Sequence, residues 1–501
     1  MAIFNTFYTW FLRSRVNYIN HVIENPVDTQ MRVFEDLIAT AKNTEWGKKY
    51  QYNSIQNIED LKERVPVHNY DGMKPWIERM MNGEQNILWP SDIRWFAKSS
   101  GTTSDKSKFI PVSFESLENC HIKAARDLLS IYCNNFPDTK IFSGKGLVMG
   151  GSHQINSFNE NTSYGDLSAV LMQNLPFWVH FIRTPQLDIA LLSDWEEKLE
   201  KMANETIVED VTNISGVPTW TIILFNRVLE ITGKKYIDEV WPNLELYVHG
   251  GVSFTPYRNQ FKQFFRNPIN YLETYNASEG FFGLQNDPNS EELLLMLDYG
   301  IYYEFMPMSE YGKDFPETKT LDQVVLGEIY ALVISTNSGL CRYIVGDTVK
   351  FTSLQPFKFL ITGRTKHFIN AFGEELMIEN AEKALFETCL LTNANIKDYT
   401  AAPIYFDNHQ KPTHEWLIEF NQEPSDIYKF TEILDLQLQK TNSDYEAKRH
   451  KDIAMQMPKV NIVKKGVFNE WLKTKGKLGG QHKIPRLSND RVVIEEILEL
   501  L

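Results

Sequence analysis

Several separated stretches of the chain combine residue types that can handle phosphate, ribose or a metal ion. Ser99-Ser100-Gly101-Thr102-Thr103-Ser104 carries five hydroxyls, runs on through Asp105-Lys106-Ser107-Lys108, and has apolar residues before it (Trp95, Phe96) and after it (Phe109, Ile110). A loop of hydroxyls and backbone N–H groups between two strands supplies the donors that triphosphate oxygens need, and lysines add point charges. The same composition also makes a solvated hairpin turn. The GxxxxGK spacing of a Walker loop is absent.

The stretch from Tyr271 to Gly283 places an aromatic residue, a hydroxyl and a carboxylate within five residues, Tyr275-Asn276-Ala277-Ser278-Glu279. That set can border a base, contact a phosphate and hold Mg²⁺, or simply close a strand with a tight turn. Gly339 to Asp347 reads as an apolar strand ending in Gly346-Asp347, where one carboxylate could accept both hydroxyls of a ribose, or an Asp turn could close a hairpin. Gly363-Arg364-Thr365-Lys366 and the glycine-flanked basic loop Gly479 to Arg486 follow. A lysine on a loop can reach an anionic centre, and a basic surface loop has the same look.

The elements that must position these residues alternate between helix and strand, which predicts an α/β architecture. Residues 31–45 and 114–132 space apolar positions at three and four, as amphipathic helices do. Strands are expected at 146–151, 244–251, 292–300, 301–307 and 328–336. After Arg364 the texture changes to a helix at 376–388, strands near 399–405 and 414–420, a helix at 424–440 and a strand at 459–463. That predicts a large N-terminal domain over 1–364 and a small α+β domain over 365–501, with a hinge at Arg364–Lys366.

Composition sets bounds on partners. The chain has 501 residues, 43% hydrophobic and 23% charged, and its 65 acidic against 51 basic residues give a net charge of −14. An acidic surface repels nucleic-acid backbone and anionic lipid, so neither is an expected partner. Four scattered cysteines fit reduced thiols in a cytoplasmic protein better than a disulfide framework or a zinc site. The apolar run from Phe4 to Leu12 has its positive charges after it, the reverse of a signal peptide, and is expected to pack as an amphipathic helix. No run of roughly 20 apolar residues is present to span a membrane.

Taken in order, the hydroxyl loop, a Gly-Gly turn at Gly250-Gly251, Tyr-x-x-Ser-Glu, Gly-Asp, Gly-Arg and a late lysine resemble adenylate-forming enzymes. Within them the chain looks most like the auxin-responsive acyl-acid amido synthetases, the Gretchen-Hagen-three family. The resemblance lies in VPVHNYDGMKPWIERMMNGE at 65–84, WFAKSSGTTSDKSKFIPVS at 95–113, YNASEGFFG at 275–283, LCRYIVGDTVKF at 340–351 and GQHKIPR at 480–486. It implies a large N-terminal α/β domain of mixed sheets with a small barrel, and a C-terminal lid.

The resemblance also implies roles. Ser99, Ser100, Gly101, Thr102 and Thr103 would wrap the phosphates of ATP, with Lys108 at the trailing edge. Tyr275 would lie against the adenine with Gly251 and Val252 opposite, and Asn276 and Ala277 lead to Ser278 at the α-phosphate. Glu279 would ligate Mg²⁺, Asp347 would take the ribose hydroxyls with Arg364 nearby, and Lys483 would sit between the attacking carboxylate and the α-phosphate. Lys366 would be the hinge. Trp178, His180 and Trp220 are candidates for an apolar acyl pocket, although core packing is the commoner setting for such residues.

The implied activity is ATP-dependent formation of an acyl-adenylate, then transfer to an amine or amino acid. An acyl-CoA synthetase shares the first step, and a non-catalytic nucleotide- or acyl-binding protein could share the scaffold. Plant members carry an Asp-Lys pair shortly after the Gly-Arg hinge, where this chain has Phe372-Gly373-Glu374-Glu375. That departure points to a member outside plants and keeps the acceptor open. Neither the acid nor the oligomeric state is written in the sequence.

Overall fold

The structure is a computed structural model that describes residues 2–100, 107–149, 155–192, 194–252, 254, 257–365, 368–405, 412–475 and 484–501. The described chain forms two compact units. One comprises Met1–Ser99, Phe109–Gly251 and Arg258–Thr365, the other Ser100–Lys108, Val252–Tyr257 and Lys366–Leu501.

The larger unit is built on an 11-stranded mixed sheet. In spatial order its strands are Ile301–Pro307, Ile329–Thr336, Tyr343–Leu354, Phe357–Arg364, Leu293–Leu295, Gly280–Leu284, Asn270–Ala277, Leu246–Gly250, Val211–Ser215, Lys145–Val148 and Arg183–Thr184. The half from Asn270–Ala277 outward is parallel, with Gly250 opposite Thr274 and Ser215 opposite Val248. The other half is antiparallel, with Ile301 opposite Thr336 and Asp347 opposite Arg364. Ile329–Thr336 is apolar on both faces and buried along nearly its whole length, as a strand covered on both sides must be.

Helices cover this sheet. The N-terminal helix Ala2–Glu24 packs on the body as expected, with Leu12 and Ile19 in the core and Arg15 paired with Asp127 at 2.8 Å. The helix expected from residue 31 begins earlier, at Pro26, because proline suits the first helical turn, where its missing N–H is not needed. It stops at Ala41, and Thr44 caps a separate short helix by accepting from Gly47 N at 2.9 Å. The helix expected at 114–132 is interrupted by a π-turn at Leu117–Ile122 before continuing as Lys123–Asn135.

A buried ion pair fixes the antiparallel half. Glu304 sits in a fully buried strand, and Arg342 meets it with Nη2 2.9 Å from Oε1 and Nε 3.1 Å from both oxygens. Thr318 donates to the same carboxylate at 2.5 Å, and Arg342 Nη1 donates to the Val65 carbonyl at 2.6 Å. His68 N donates to Arg342 O, and Ile344 N to His68 O, each at 2.8 Å. The VPVHNY stretch is thereby threaded against the strand that carries Asp347.

The smaller unit holds a three-stranded sheet in the order Asn395–Ile404, Thr413–Gln422, Lys459–Ile462. Its helix Ile378–Thr392 outruns the expected 376–388 because the first left-handed residue is Asn393, whose φ of 51° ends it. Leu417, Phe468, Trp471, Ile494 and Ile497 form its core. Glu374 and His414, both fully buried, meet at 2.8 Å. No described helix is long and apolar enough to cross a membrane.

Candidate active site

The site begins at two adjacent parallel strands, Leu246–Gly250 and Asn270–Ala277, whose carboxyl ends lie side by side. Ligands of open α/β sheets bind at such ends. A Cβ on Gly250 would stand 2.4 Å from the Thr274 carbonyl, so glycine is the residue that lets the strands approach. Gly251 follows with a φ of +80°, a left-handed turn that glycine adopts without strain.

The strand Asn270–Ala277 folds back through Ser278-Glu279 into Gly280–Leu284, with Ala277 opposite Gly280. A Cβ on Gly280 would come within 2.5 Å of the Ile301 side chain, which keeps this hairpin end tight. Glu279, half-buried, accepts from the Tyr343 hydroxyl at 3.3 Å. Asp347 accepts from the Tyr275 hydroxyl at 2.5 Å and is buried. Two carboxylates are thus each oriented by a phenol from a different strand.

Asp347 differs in one respect from its expected setting. The strand does not end at Gly346-Asp347 but runs from Tyr343 to Leu354. The pairing of Asp347 with Arg364 and of Lys350 with Leu360 carries it onward, so a hairpin partner extends what the Gly-Asp pair alone would end. Gly346, with a φ of +102°, still breaks the local geometry, and its carbonyl accepts from Thr365 N at 2.8 Å.

Residues not singled out in the sequence brace the hairpin. Phe281 N donates to Cys120 Sγ at 3.2 Å, and the Asn276 side chain lies close enough to His121 to affect its pKa. Burial pushes the His121 pKa down to about 4, with the Asn276 contact opposing, so the imidazole is neutral at physiological pH. Both braces come from the π-turn, an irregularity often found where a helix serves a site. Tyr343 was also missed, hidden in an apolar strand pattern.

Ser99 is half-buried on the strand Trp95–Ser100, and Lys108 is half-buried on Ser107–Val112. Ser100 closes the first strand, while Gly101, Thr102, Thr103, Lys366 and Lys483 lie outside the described residues, as do the side chains of Ser100, Arg364 and Trp178. Val252 is buried, Gly251 and Asn276 are exposed, and Ala277 and Ser278 are half-buried. His180 is half-buried in a 3₁₀ turn at Phe177–Phe181. Trp220 is buried in the helix Pro218–Thr232. Among the described residues no three His, Cys, Asp or Glu side chains form a metal cage. A lone carboxylate such as Glu279 still suits Mg²⁺, which takes most of its ligands from phosphates and water.

Glycine-lined strand ends, a Ser-Glu turn and a buried carboxylate lie together at the carboxyl ends of an α/β sheet. Three family models match the chain: the GH3 family N-terminal domain over residues 15–269, the central domain over 294–364 and the C-terminal domain over 379–492. The chain therefore belongs to the GH3 family. A similar curated protein is the indole-3-acetic acid-amido synthetase GH3.4 of Arabidopsis thaliana, 22% identical over 97% of this chain and 92% of the relative. Among solved structures, the GH3.15 acyl acid amido synthetase superposes with a TM-score of 0.62 at 16% identity, covering 97% of this chain and 96% of that one. A 2-hydroxyisobutyryl-CoA ligase in complex with 2-HIB-AMP and CoA gives 0.57 at 12% identity, over 95% and 92%. The fold is that of adenylate-forming ligases.

Proposed function

We propose that the chain is an ATP-dependent ligase that activates a carboxylic acid as its acyl-adenylate and passes the acyl group to the amine of an amino acid. The observation that carries this reading is the pair of phenol-oriented carboxylates, Glu279 and Asp347, beside the carboxyl ends of adjacent parallel strands. Membership of a family whose curated relatives are amido synthetases supports it.

In the first step an oxygen of the substrate carboxylate attacks the α-phosphorus, the bond to the β-phosphate breaks and pyrophosphate leaves. Asp347, held by Tyr275, accepts the ribose hydroxyls, and Tyr275 borders the adenine with Gly251 and Val252 opposite. Arg364 assists at the ribose, and Asn276 and Ala277 lead into Ser278, which contacts the α-phosphate. Ser99 to Thr103, with Lys108, hold the phosphates. Lys483 neutralises charge between two anions that would otherwise repel. Glu279 is the protein ligand for Mg²⁺, which when bound neutralises phosphate oxygens.

In the second step the acceptor nitrogen attacks the activated carbonyl, the bond to AMP breaks, and the nitrogen loses a proton. Residues 365–501 act as a lid hinged at Lys366, keeping water from the adenylate. The four free thiols suit a reducing, cytoplasmic compartment.

The test is pyrophosphate release from ATP over a panel of aromatic, indolic and aliphatic acids, followed by AMP release with amino acids or coenzyme A as acceptor. Acid-dependent pyrophosphate with amino-acid-dependent AMP is expected. Coenzyme A alone driving turnover would change the acceptor, and no response to any acid would overturn the activity.

A further inference from the structure

The strand Arg183–Thr184 closes one edge of the large sheet and carries a buried cation that no described residue neutralises. Arg183 is 5% exposed, and both of its Nη atoms are buried with no hydrogen-bond partner. The other buried arginines, Arg342 and Arg449, each meet a carboxylate, Glu304 and Asp435. Burial lowers the Arg183 pKa, and no acidic neighbour among the described residues opposes the fall. A buried guanidinium without a counter-charge is costly, and arginines are seldom buried unless paired.

The surroundings of Arg183 are shaped on one face of three adjacent strands. Parallel pairing puts Arg183 opposite Gly146 and Gly146 opposite Asn213, so all three belong to the same face. A Cβ on Gly146 would stand 2.8 Å from Asn213 Oδ1, so the Asn213 carboxamide leans over the glycine toward the strand of Arg183. Asn213 Nδ2 donates to Thr212 Oγ1 at 3.3 Å, which uses one of its two N–H groups. Gly146 and Asn213 are half-buried, so solvent reaches this face over the glycine. Thr184 turns to the opposite face, where Glu205 lies 3.5 Å from its hydroxyl and accepts from Gln186 N at 2.8 Å. That carboxylate is therefore committed on the other side of the sheet.

A guanidinium fork offers two parallel N–H groups, the arrangement that a carboxylate or phosphate accepts. The bare backbone at Gly146 admits a ligand close to the sheet, and Asn213 adds a third donor. A cation would be repelled, and a neutral group would leave the charge uncompensated. Asn213 stands opposite Leu246, four residues before Gly250, about 13 Å at roughly 3.3 Å per residue. The place is thus distinct from the Gly250-Gly251 turn.

We propose that Arg183, Gly146 and Asn213 form a binding site for a small oxyanion, a carboxylate or a phosphate, that balances the buried charge at the sheet edge. The proposal stands apart from the adenylation reading and needs no step of it.

Melting curves of the full-length protein are recorded in sodium phosphate, sodium acetate and sodium chloride titrated at matched ionic strength. Phosphate or acetate should raise the melting temperature saturably, by about 2 °C or more over chloride, and the stronger of the two names the source. Arg183→Met should lose that rise, and Arg183→Lys, which keeps the charge without the fork, should retain only part of it. Asn213→Ala should move the midpoint of the titration to higher concentration. No rise over chloride in wild type would overturn the proposal. So would a rise that survives Arg183→Met, which would mark salting-out or an anion held elsewhere. If Arg183→Met does not fold, Arg183→Lys and Asn213→Ala decide: a titration unchanged in both rejects the site.

Discussion

The Tyr275 hydroxyl donates to Asp347 across 2.5 Å and so joins the strand leading to the Ser278-Glu279 turn to the strand that crosses at Gly346. The contact helps to orient a buried carboxylate. Tyr275→Phe should therefore weaken AMP binding by about tenfold while leaving the melting temperature within a few degrees, since one hydrogen bond to a charged group is worth roughly 1.5–3 kcal/mol. Calorimetric titration with AMP checks this. Unchanged affinity would mean that Asp347 is oriented without the phenol.

The Arg342–Glu304 pair should behave as a structural lock. Both side chains are almost fully buried, at 4% and 0% exposure, so removing one leaves the other as an uncompensated charge. Arg342→Met should cost about 3–5 kcal/mol in urea denaturation, and the double variant Arg342→Met with Glu304→Leu should regain much of it. A loss below about 1 kcal/mol for the single variant would contradict the lock.

Glu273 should make stability depend on pH. Its folded pKa of about 7 lies above the ordinary carboxyl value of 4.5. The folded state therefore holds a proton that the unfolded state has released, and stability falls as pH rises through that window. Glu273→Gln removes the penalty, so its advantage over wild type should be small at pH 5 and grow to as much as roughly 3 kcal/mol at pH 8. Melting curves at both pH values read the difference, and an equal offset at each would count against the shift.

Much of this architecture was legible where local chemistry dictates position. The Gly-Gly turn and the Ser-Glu hairpin fall where the sequence placed them, because close approach and left-handed geometry demand particular residues at Gly250, Gly251 and Gly280. The strand expected at 292–300 shrinks to Leu293–Leu295, because its pairing is limited to Gly283-Leu284 on one side and Lys358-Phe359 on the other. What stayed hidden depends on distant pairing. Asp347 reads as a strand end until Arg364 is seen opposite it. Glu273 reads as one polar residue in a strand until His249 is placed beside it by a parallel register.

Lys483 should separate the two half-reactions. In the proposed reaction it would ease the approach of one anion to another, a need present only while the adenylate forms. Lys483→Ala should abolish pyrophosphate release yet largely preserve amide formation from supplied acyl-adenylate. Equal loss of both steps would assign the lysine elsewhere.

Adenylation and acyl transfer are linked by a single oxygen atom, which the substrate carboxylate gives to the α-phosphate. With an acid labelled by ¹⁸O in its carboxylate, mass spectrometry after a complete turnover should find one label in AMP and none in inorganic phosphate. Label in inorganic phosphate with formation of ADP would show attack at the γ-phosphate and would contradict an acyl-adenylate.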